Sequence, residues 1–174
     1  DPNLAICGKD GRCVTCDSTA PTTDAGTSSE CAMGHSTLPF CVKGACVQCA
    51  SSFDCISDKK ACDKVTHSCQ PCSKNVDCAS GVCESGMCRN PSDVIYVDGK
   101  NCGMMPQGTF ADPLCTVQDG MNKGTMMSKP VVIRPGTYQE NLTVDGSKMD
   151  FVVNVIADGA VSLQPRDSGR PALS

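Results

Sequence analysis

Cysteine is the residue type with the most chemistry to offer in this sequence. The chain has 174 residues, and 16 of them are Cys, a density at which a short chain reads as a disulfide scaffold. Two chemistries compete for these thiols: oxidation to disulfides and ligation of zinc. Cys46-x2-Cys49 and Cys69-x2-Cys72 have the spacing of a zinc ribbon, with 19 residues between the pairs. Against zinc, Cys55 and Cys62 lie inside that interval, Cys78 follows closely, and a third Cys-x2-Cys occurs at Cys13/Cys16. The close pairs coincide with repeat boundaries. Disulfides are therefore the expectation, with no metal and no cofactor, and an even count leaves no thiol for a nucleophile.

The repeat is visible in residue types. Cys49-Ala-Ser-Ser-Phe-Asp-Cys55 aligns with Cys72-Ser-Lys-Asn-Val-Asp-Cys78, so Asp54 and Asp77 share a slot. Cys41-Val-Lys-Gly-Ala-Cys46 aligns with Cys83-Glu-Ser-Gly-Met-Cys88, with Gly44 and Gly86 in register. A glycine there suits a tight turn that needs positive φ. Three four-cysteine modules follow: A (Cys16, Cys31, Cys41, Cys46), B (Cys49, Cys55, Cys62, Cys69) and C (Cys72, Cys78, Cys83, Cys88). Module A carries a Thr/Ser/Gly-rich insertion over residues 17–30, read as an exposed loop. Cys7 with Cys13, and Cys102 with Cys115, remain as couples, so that eight disulfides consume every thiol. Four cysteines permit three connectivities, which spacing does not decide. First with third and second with fourth is the working expectation. Modules of about 17–30 residues bury too little apolar surface to fold alone, and each disulfide contributes ~2–4 kcal/mol.

The remaining chemistry-bearing residues form no catalytic constellation. His35 lies in module A and His67 beside Cys69, without partners suggested by spacing, and both read as solvated loop residues. Asp145, Asp158 and Asp167 sit at turns, where aspartate bonds its own backbone. Asp98-Gly-Lys-Asn101 lacks the carboxylate density of a calcium loop. Nucleophile-elbow, Walker and dinucleotide-binding motifs are absent from the sequence. Asn141-Leu-Thr143 is a glycosylation sequon inside a predicted strand, read as unmodified. Met104/Met105 and Met126/Met127 read as gap fillers or loop residues rather than ligands.

The elements that hold these residues divide the chain in two. A disulfide-rich repeat region over residues 1–90 (modules about 16–46, 49–69 and 72–88) precedes a mostly β region over residues 91–174. Asn90-Pro91-Ser92-Asp93 is the natural joint. Val131, Val132, Val144, Val152, Val153, Val155 and Val161 crowd the second region. Strands are predicted at residues 94–97, 131–133, 142–144, 151–156 and 161–163, broken at Pro135-Gly136, Asp145-Gly146 and Asp158-Gly159. Val117 and Met121 share one face of a helix predicted over residues 114–123, with Gly124 as its C-cap. Strand–turn–strand units recur from Val131 to Val152 and from Leu142 to Val161, a period of about 20. Arg134 and Glu140 are placed to pair across a turn. Asp-Gly between alternating strands also fits antiparallel hairpins.

Composition excludes several classes. Six aromatics (Phe40, Phe53, Phe110, Phe151, Tyr96, Tyr138) and no Trp rule out one large aromatic core. A net charge of −4 argues against nucleic-acid binding through phosphate attraction. No apolar run approaches the ~18 residues of a membrane span. The chain opens Asp1-Pro2-Asn3 without a basic or apolar leader, as expected of a mature chain or a fragment. Many structural disulfides imply an oxidising location, secreted or cell-surface.

Two resemblances add to this. Asp77-Cys78-Ala-Ser-Gly-Val-Cys83-Glu-Ser-Gly86-Met-Cys88 resembles the short Cys-rich repeats of large bacterial cell-surface and secreted proteins. Thr116-Val-Gln-Asp-Gly-Met and Val131-Val-Ile-Arg-Pro-Gly136-Thr-Tyr138-Gln-Glu140-Asn-Leu142-Thr-Val144 resemble the opening of secreted right-handed parallel β-helix proteins, the pectin methylesterases and pectate-lyase-like proteins among them. That resemblance implies a capping helix over the first coil and favours parallel strands over hairpins, with Tyr138 and Glu140 structural. It carries over no catalytic residue, because the family's paired aspartates and arginine have no counterpart here.

The expected fold is thus small disulfide-rich modules followed by the capped N-terminal coils of a right-handed parallel β-helix. The expected function is an extracellular structural or binding scaffold, a Cys-rich stalk presenting a β-helix surface to glycans or protein partners. The remainder of a longer parent chain, or a partner, would cover the open end of the coils. The alternative is the non-catalytic front of a secreted esterase or lyase acting on polysaccharide, its active site beyond residue 174. A zinc-bound interaction module is a third class.

Overall fold

The computed structural model describes residues 6–7, 13–14, 16, 31, 37–144, 154–167, 169 and 171–173, with backbone alone at 6–7 and 13–14. These residues form short strands with few helices, crossed by seven disulfides.

Each cysteine module is built on an antiparallel hairpin. β1 (Ile6–Cys7) pairs with β2 (Cys13–Val14), and β3 (Phe40–Val42) with β4 (Ala45–Val47). β5 (Ala61–Cys62) pairs with β6 (Cys69–Gln70), and β7 (Cys83–Glu84) with β8 (Met87–Cys88). The β3–β4 and β7–β8 turns are two-residue loops with positive φ at both positions: Lys43 (52°) and Gly44 (81°), then Ser85 (51°) and Gly86 (81°). Such loops match the strand twist, and glycine enters that conformation without steric cost. The shared Asp slot is equally functional in the fold. Asp54 Oδ2 accepts from the amides of Ala50 (2.9 Å) and Ser51 (2.7 Å). Asp77 Oδ2 accepts from Ser73 (2.9 Å) and Lys74 (2.8 Å). Each carboxylate thereby fixes the start of a 3-10 helix, Ser52–Asp58 in module B and Asn75–Asp77 in module C. The two amides hold the Asp77 carboxyl below the usual range.

The second region is parallel. β9 (Ile95–Val97), β10 (Val131–Ile133) and β12 (Val155–Ala157) form one sheet in the order β12-β10-β9. β11 (Gly136–Gln139) and β13 (Val161–Gln164) form a second parallel sheet. The strands flanking Asp158-Gly159 are β12 and β13, and they sit in different sheets, so no hairpin forms there. Register fixes the repeat: Val131 opposes Val155 and Gly136 opposes Val161, offsets of 24 and 25 residues. The expected period of about 20 is therefore too short, because it took residues 142–144 as the second strand. That strand is Gly136–Gln139 instead, with Tyr138 buried between exposed neighbours. Thr143 gives its backbone to a side chain: its amide donates to Gln118 Oε1 (2.8 Å) and its carbonyl accepts from Gln118 Nε2 (3.3 Å). Leu142 makes a lone parallel bridge with Leu173. Of the strand predicted at 151–156, residues 151–153 lie outside the described residues.

β9 and β10 are buried throughout, which is why they read as unbroken apolar runs. Ile95, Val97, Val131 and Ile133 face a core shared with Leu114, Val117, Tyr138 and Leu142. Tyr96 and Val132 point the other way and meet Val82 and Val94. Val82 belongs to module C and is fully buried, so the modules cover the outer face of the first sheet.

α1 (Val117–Met127) starts three residues later and ends four later than predicted. Leu114 bridges Val97 and Cys115 is in a disulfide with Cys102, which holds both outside the helix. Gly124 is a buried helical residue rather than a C-cap; Ser128 takes the left-handed cap at φ 52°. Gly120, four residues earlier, lies so close to Val97 and Val131 that a methyl there would overlap Val97 Cγ2. No helix of the described residues is long and apolar enough to cross a membrane.

Candidate functional site

Within the modules, disulfide connectivity is uniform. Cys16 joins Cys41 and Cys31 joins Cys46; Cys49 joins Cys62 and Cys55 joins Cys69; Cys72 joins Cys83 and Cys78 joins Cys88. That is first with third and second with fourth. Each hairpin sets its third and fourth cysteines opposite one another, as at Cys62 and Cys69, and both reach to the segment that precedes the hairpin. The four cysteines with zinc-ribbon spacing belong to four different disulfides, so that ribbon is not formed. The described side chains include no free cysteine. Cys7 and Cys13 oppose each other in β1 and β2, and their side chains lie outside the described residues.

A cleft opens where modules B and C meet the first parallel sheet. Its volume is about 490 Å³, and it is lined by Phe53, Lys64, Val76, Tyr96, Phe110, Arg134 and Asp158, among others. Each is delivered by a different element. Phe53 stands on the 3-10 helix of module B, which Asp54 anchors. Phe110 comes from the loop closed by Cys102–Cys115. Tyr96 is the outward residue of β9, and its hydroxyl donates to the Ser80 carbonyl at 3.0 Å. Burial pushes that hydroxyl's pKa well up, so it remains a protonated donor. Arg134 and Asp158 follow β10 and β12, and Lys64 sits in the β5–β6 loop.

The aromatic rings form a continuous surface. Phe110 meets Phe53 edge-on at 5.3 Å and Tyr96 edge-on at 5.3 Å. Phe53 is 49% exposed and Phe110 39%, so both keep part of their surface in contact with solvent. The Arg134 guanidinium lies 4.8 Å from the Phe110 centroid and 5.8 Å from that of Tyr96. It is held there by donation to the Phe110 carbonyl (2.7 Å) and a 3.5 Å contact with Asp98 Oδ2. Burial works to raise the Asp98 pKa, but bonds from the Asn101 side chain, the Lys100 and Asn101 amides and Arg134 outweigh it and keep the carboxyl below its usual range. Lys64 and Asp158 line the cleft, both exposed, and among the described residues neither side chain has a hydrogen-bond or ion-pair partner.

This geometry corrects some expectations about single residues and agrees with others. Arg134 pairs with Asp98, not with Glu140. Glu140 caps α1: Oε1 accepts from Val117 N (2.8 Å) and Oε2 from Gln118 N (3.0 Å). Thr116 Oγ1 accepts from Asp119 N (3.1 Å) and Thr116 O from Gly120 N (3.2 Å), so the first amides of the helix are all partnered. Tyr138 is buried and donates its hydroxyl to Arg134 O at 2.9 Å, a structural role. Asn141 is not in a strand; its Nδ2 donates to Pro171 O (3.0 Å) and its Oδ1 accepts from Asp167 N (3.1 Å). His67 is half-buried with Nδ1 3.3 Å from the Cys49 carbonyl, so it has a partner that spacing did not suggest. Met104, Met105 and Met126 are exposed. His35 and Asp145 lie outside the described residues.

No protein-family model matches the chain, and no curated protein or solved structure matches it either.

Proposed function

We propose that this chain is an extracellular structural and binding scaffold. Its cysteine modules act as a cross-linked stalk, and the parallel region forms the capped first coils of a right-handed β-helix that presents its surface to glycans or protein partners. The observation that carries this reading is the parallel register: each pass of the chain supplies one strand to each of two sheets, β10 then β11, β12 then β13. Stacked passes of that kind are how coils share a core. The motif resemblance supports the coil assignment and the bacterial cell-surface comparison. Seven disulfides support an oxidising compartment. Exposed Val155 and Leu163 on the last strands mark an edge that a further rung or a partner would cover.

The test uses the native protein. Alkylation without reductant, followed by intact mass, is expected to find all sixteen thiols protected. The same material, spread over an array of polysaccharides and extracellular proteins, is expected to bind at least one. Alkylated thiols, or no binding to any member, would overturn the scaffold.

A further inference from the structure

The geometry points to the cleft between modules B and C and the first sheet as a sugar site, one that takes a neutral pyranose stacked on Phe53 and Phe110. This rests on the binding-scaffold reading and gives it a place and a ligand class.

Three features of the cleft select the ligand. Its size, about 490 Å³, falls within the range of small-molecule sites. Its floor is aromatic: two phenyl rings meet edge-on at 5.3 Å, each exposed by more than a third. Aromatic surface held open to water costs hydration free energy unless a ligand covers it. Its rim carries groups of opposite sign, Lys64 and Asp158, unpaired among the described residues. A phosphate or a uronate would be attracted by Lys64 and repelled by Asp158, and a cationic ligand the reverse, while the Arg134 charge is offset by its pairing with Asp98. A polyol is favoured by both, because each hydroxyl accepts from an ammonium and donates to a carboxylate. Apolar C–H faces for the rings, and hydroxyls on the edge for the rim, are what a pyranose offers.

The site is also rigid in the parts that matter. Phe110 is gripped by the Cys102–Cys115 loop and by Arg134 at its carbonyl. Phe53 rides on a helix closed by Asp54 and cross-linked through Cys55. A ligand would therefore meet a surface already in place, without the cost of ordering it.

The test is calorimetric titration of the whole chain with neutral hexasaccharides of glucose, xylose and galactose, alongside a galacturonate hexasaccharide and an apolar heptapeptide. Binding of at least one neutral sugar is expected, weakened about tenfold by Phe53→Ala, the loss of one aromatic contact. Phe53→Trp should retain it, and Asp158→Asn should weaken it several-fold. Unchanged circular dichroism and protected thiols report that each variant folds. Tighter binding of galacturonate, or of the peptide, would overturn the neutral-sugar class. Sugar binding untouched by Phe53→Ala and Asp158→Asn would overturn the cleft while leaving the scaffold standing. Absence of binding to every probe would overturn the inference outright.

Discussion

The cysteine modules and the parallel sheets solve one problem by opposite means. Neither has many apolar side chains to bury. In module B the buried residues are Cys49, Cys55, Cys62 and the small Ala61, so cystine makes up most of the core. Its bridges close short stretches, Cys49–Cys62 over 13 residues and Cys55–Cys69 over 14. The parallel region depends on contacts between residues far apart, as Ile95 beside Val131 and Val131 beside Val155. It gains by burying both faces of β9 and β10, one against its own core and the other against module C. Cross-links act chiefly by restricting the unfolded chain, whereas burial acts on the folded one. The two halves should therefore fail under different insults.

Reduction is the strongest such insult. Each disulfide closing a loop of about 15 residues contributes ~3 kcal/mol, and modules B and C each have two. With reductant, proteases should cut first within residues 49–88, while the strands around Val131 survive longer. Mass spectrometry of limited digests reads the order. Cleavage that begins in the β10 region would show that the sheets lean on the modules rather than the reverse.

Volume is the insult for the other half. Gly120→Val forces a side chain into Val97 and Val131, and overpacking of this kind costs about 1–3 kcal/mol. Gly169→Ala, with nothing within 4 Å, should leave stability unchanged. Denaturant midpoints of the two variants check the contrast. Equal midpoints would mean that α1 has room to move off the sheet.

The same division governs what was legible in the sequence. The modules repeat, so Asp54 and Asp77, or Gly44 and Gly86, each announce a local device twice, and local devices follow from residue type. The apolar runs at residues 94–97 and 131–133 were equally plain, because both faces of those strands are buried. What stayed hidden was long-range. Glu140 caps a helix 22 and 23 positions earlier in the chain, and Arg134 meets Asp98 across 36. The cleft is assembled from residues between Phe53 and Asp158, and no spacing rule links them. One signal was available: in a chain with only six aromatics, three converge there. The spacing of the parallel strands differs from the expected one because a glutamine side chain, Gln118, takes the backbone of Thr143 that a ladder would have used.

Glu140 links the two kinds of contact. Glu140→Ala would leave Val117 N and Gln118 N without their acceptors at the start of α1. Loss of a cap costs about 0.5–2 kcal/mol. Thermal melts should show that loss, with Glu140→Gln in between, since an amide oxygen still accepts from one of the two. Full stability in Glu140→Ala would assign the helix start to Thr116 alone.

Asp98 gives the smallest effect and the sharpest sign. Its carboxylate is almost buried, accepts from Lys100 N (3.0 Å), Asn101 N (3.1 Å) and Asn101 Nδ2 (2.9 Å), and faces Arg134. Its folded pKa is depressed, so it binds a proton less readily folded than unfolded. Stability from this group is therefore complete above the unfolded value near 3.9 and is lost as pH falls through the lower, folded value. Asp98→Asn keeps an oxygen for the turn but removes the charge that faces Arg134, at a cost of about 1 kcal/mol at neutral pH. Asp63 and Asp77 are depressed too, so acid weakens both proteins. The difference between them isolates Asp98: their melting temperatures should be separated at pH 7, begin to approach only below about pH 4, and meet once pH has fallen through the lower, folded value. Parallel curves down to pH 2 would mean that Arg134 is held over Phe110 by the ring and the carbonyl, with Asp98 contributing only the turn.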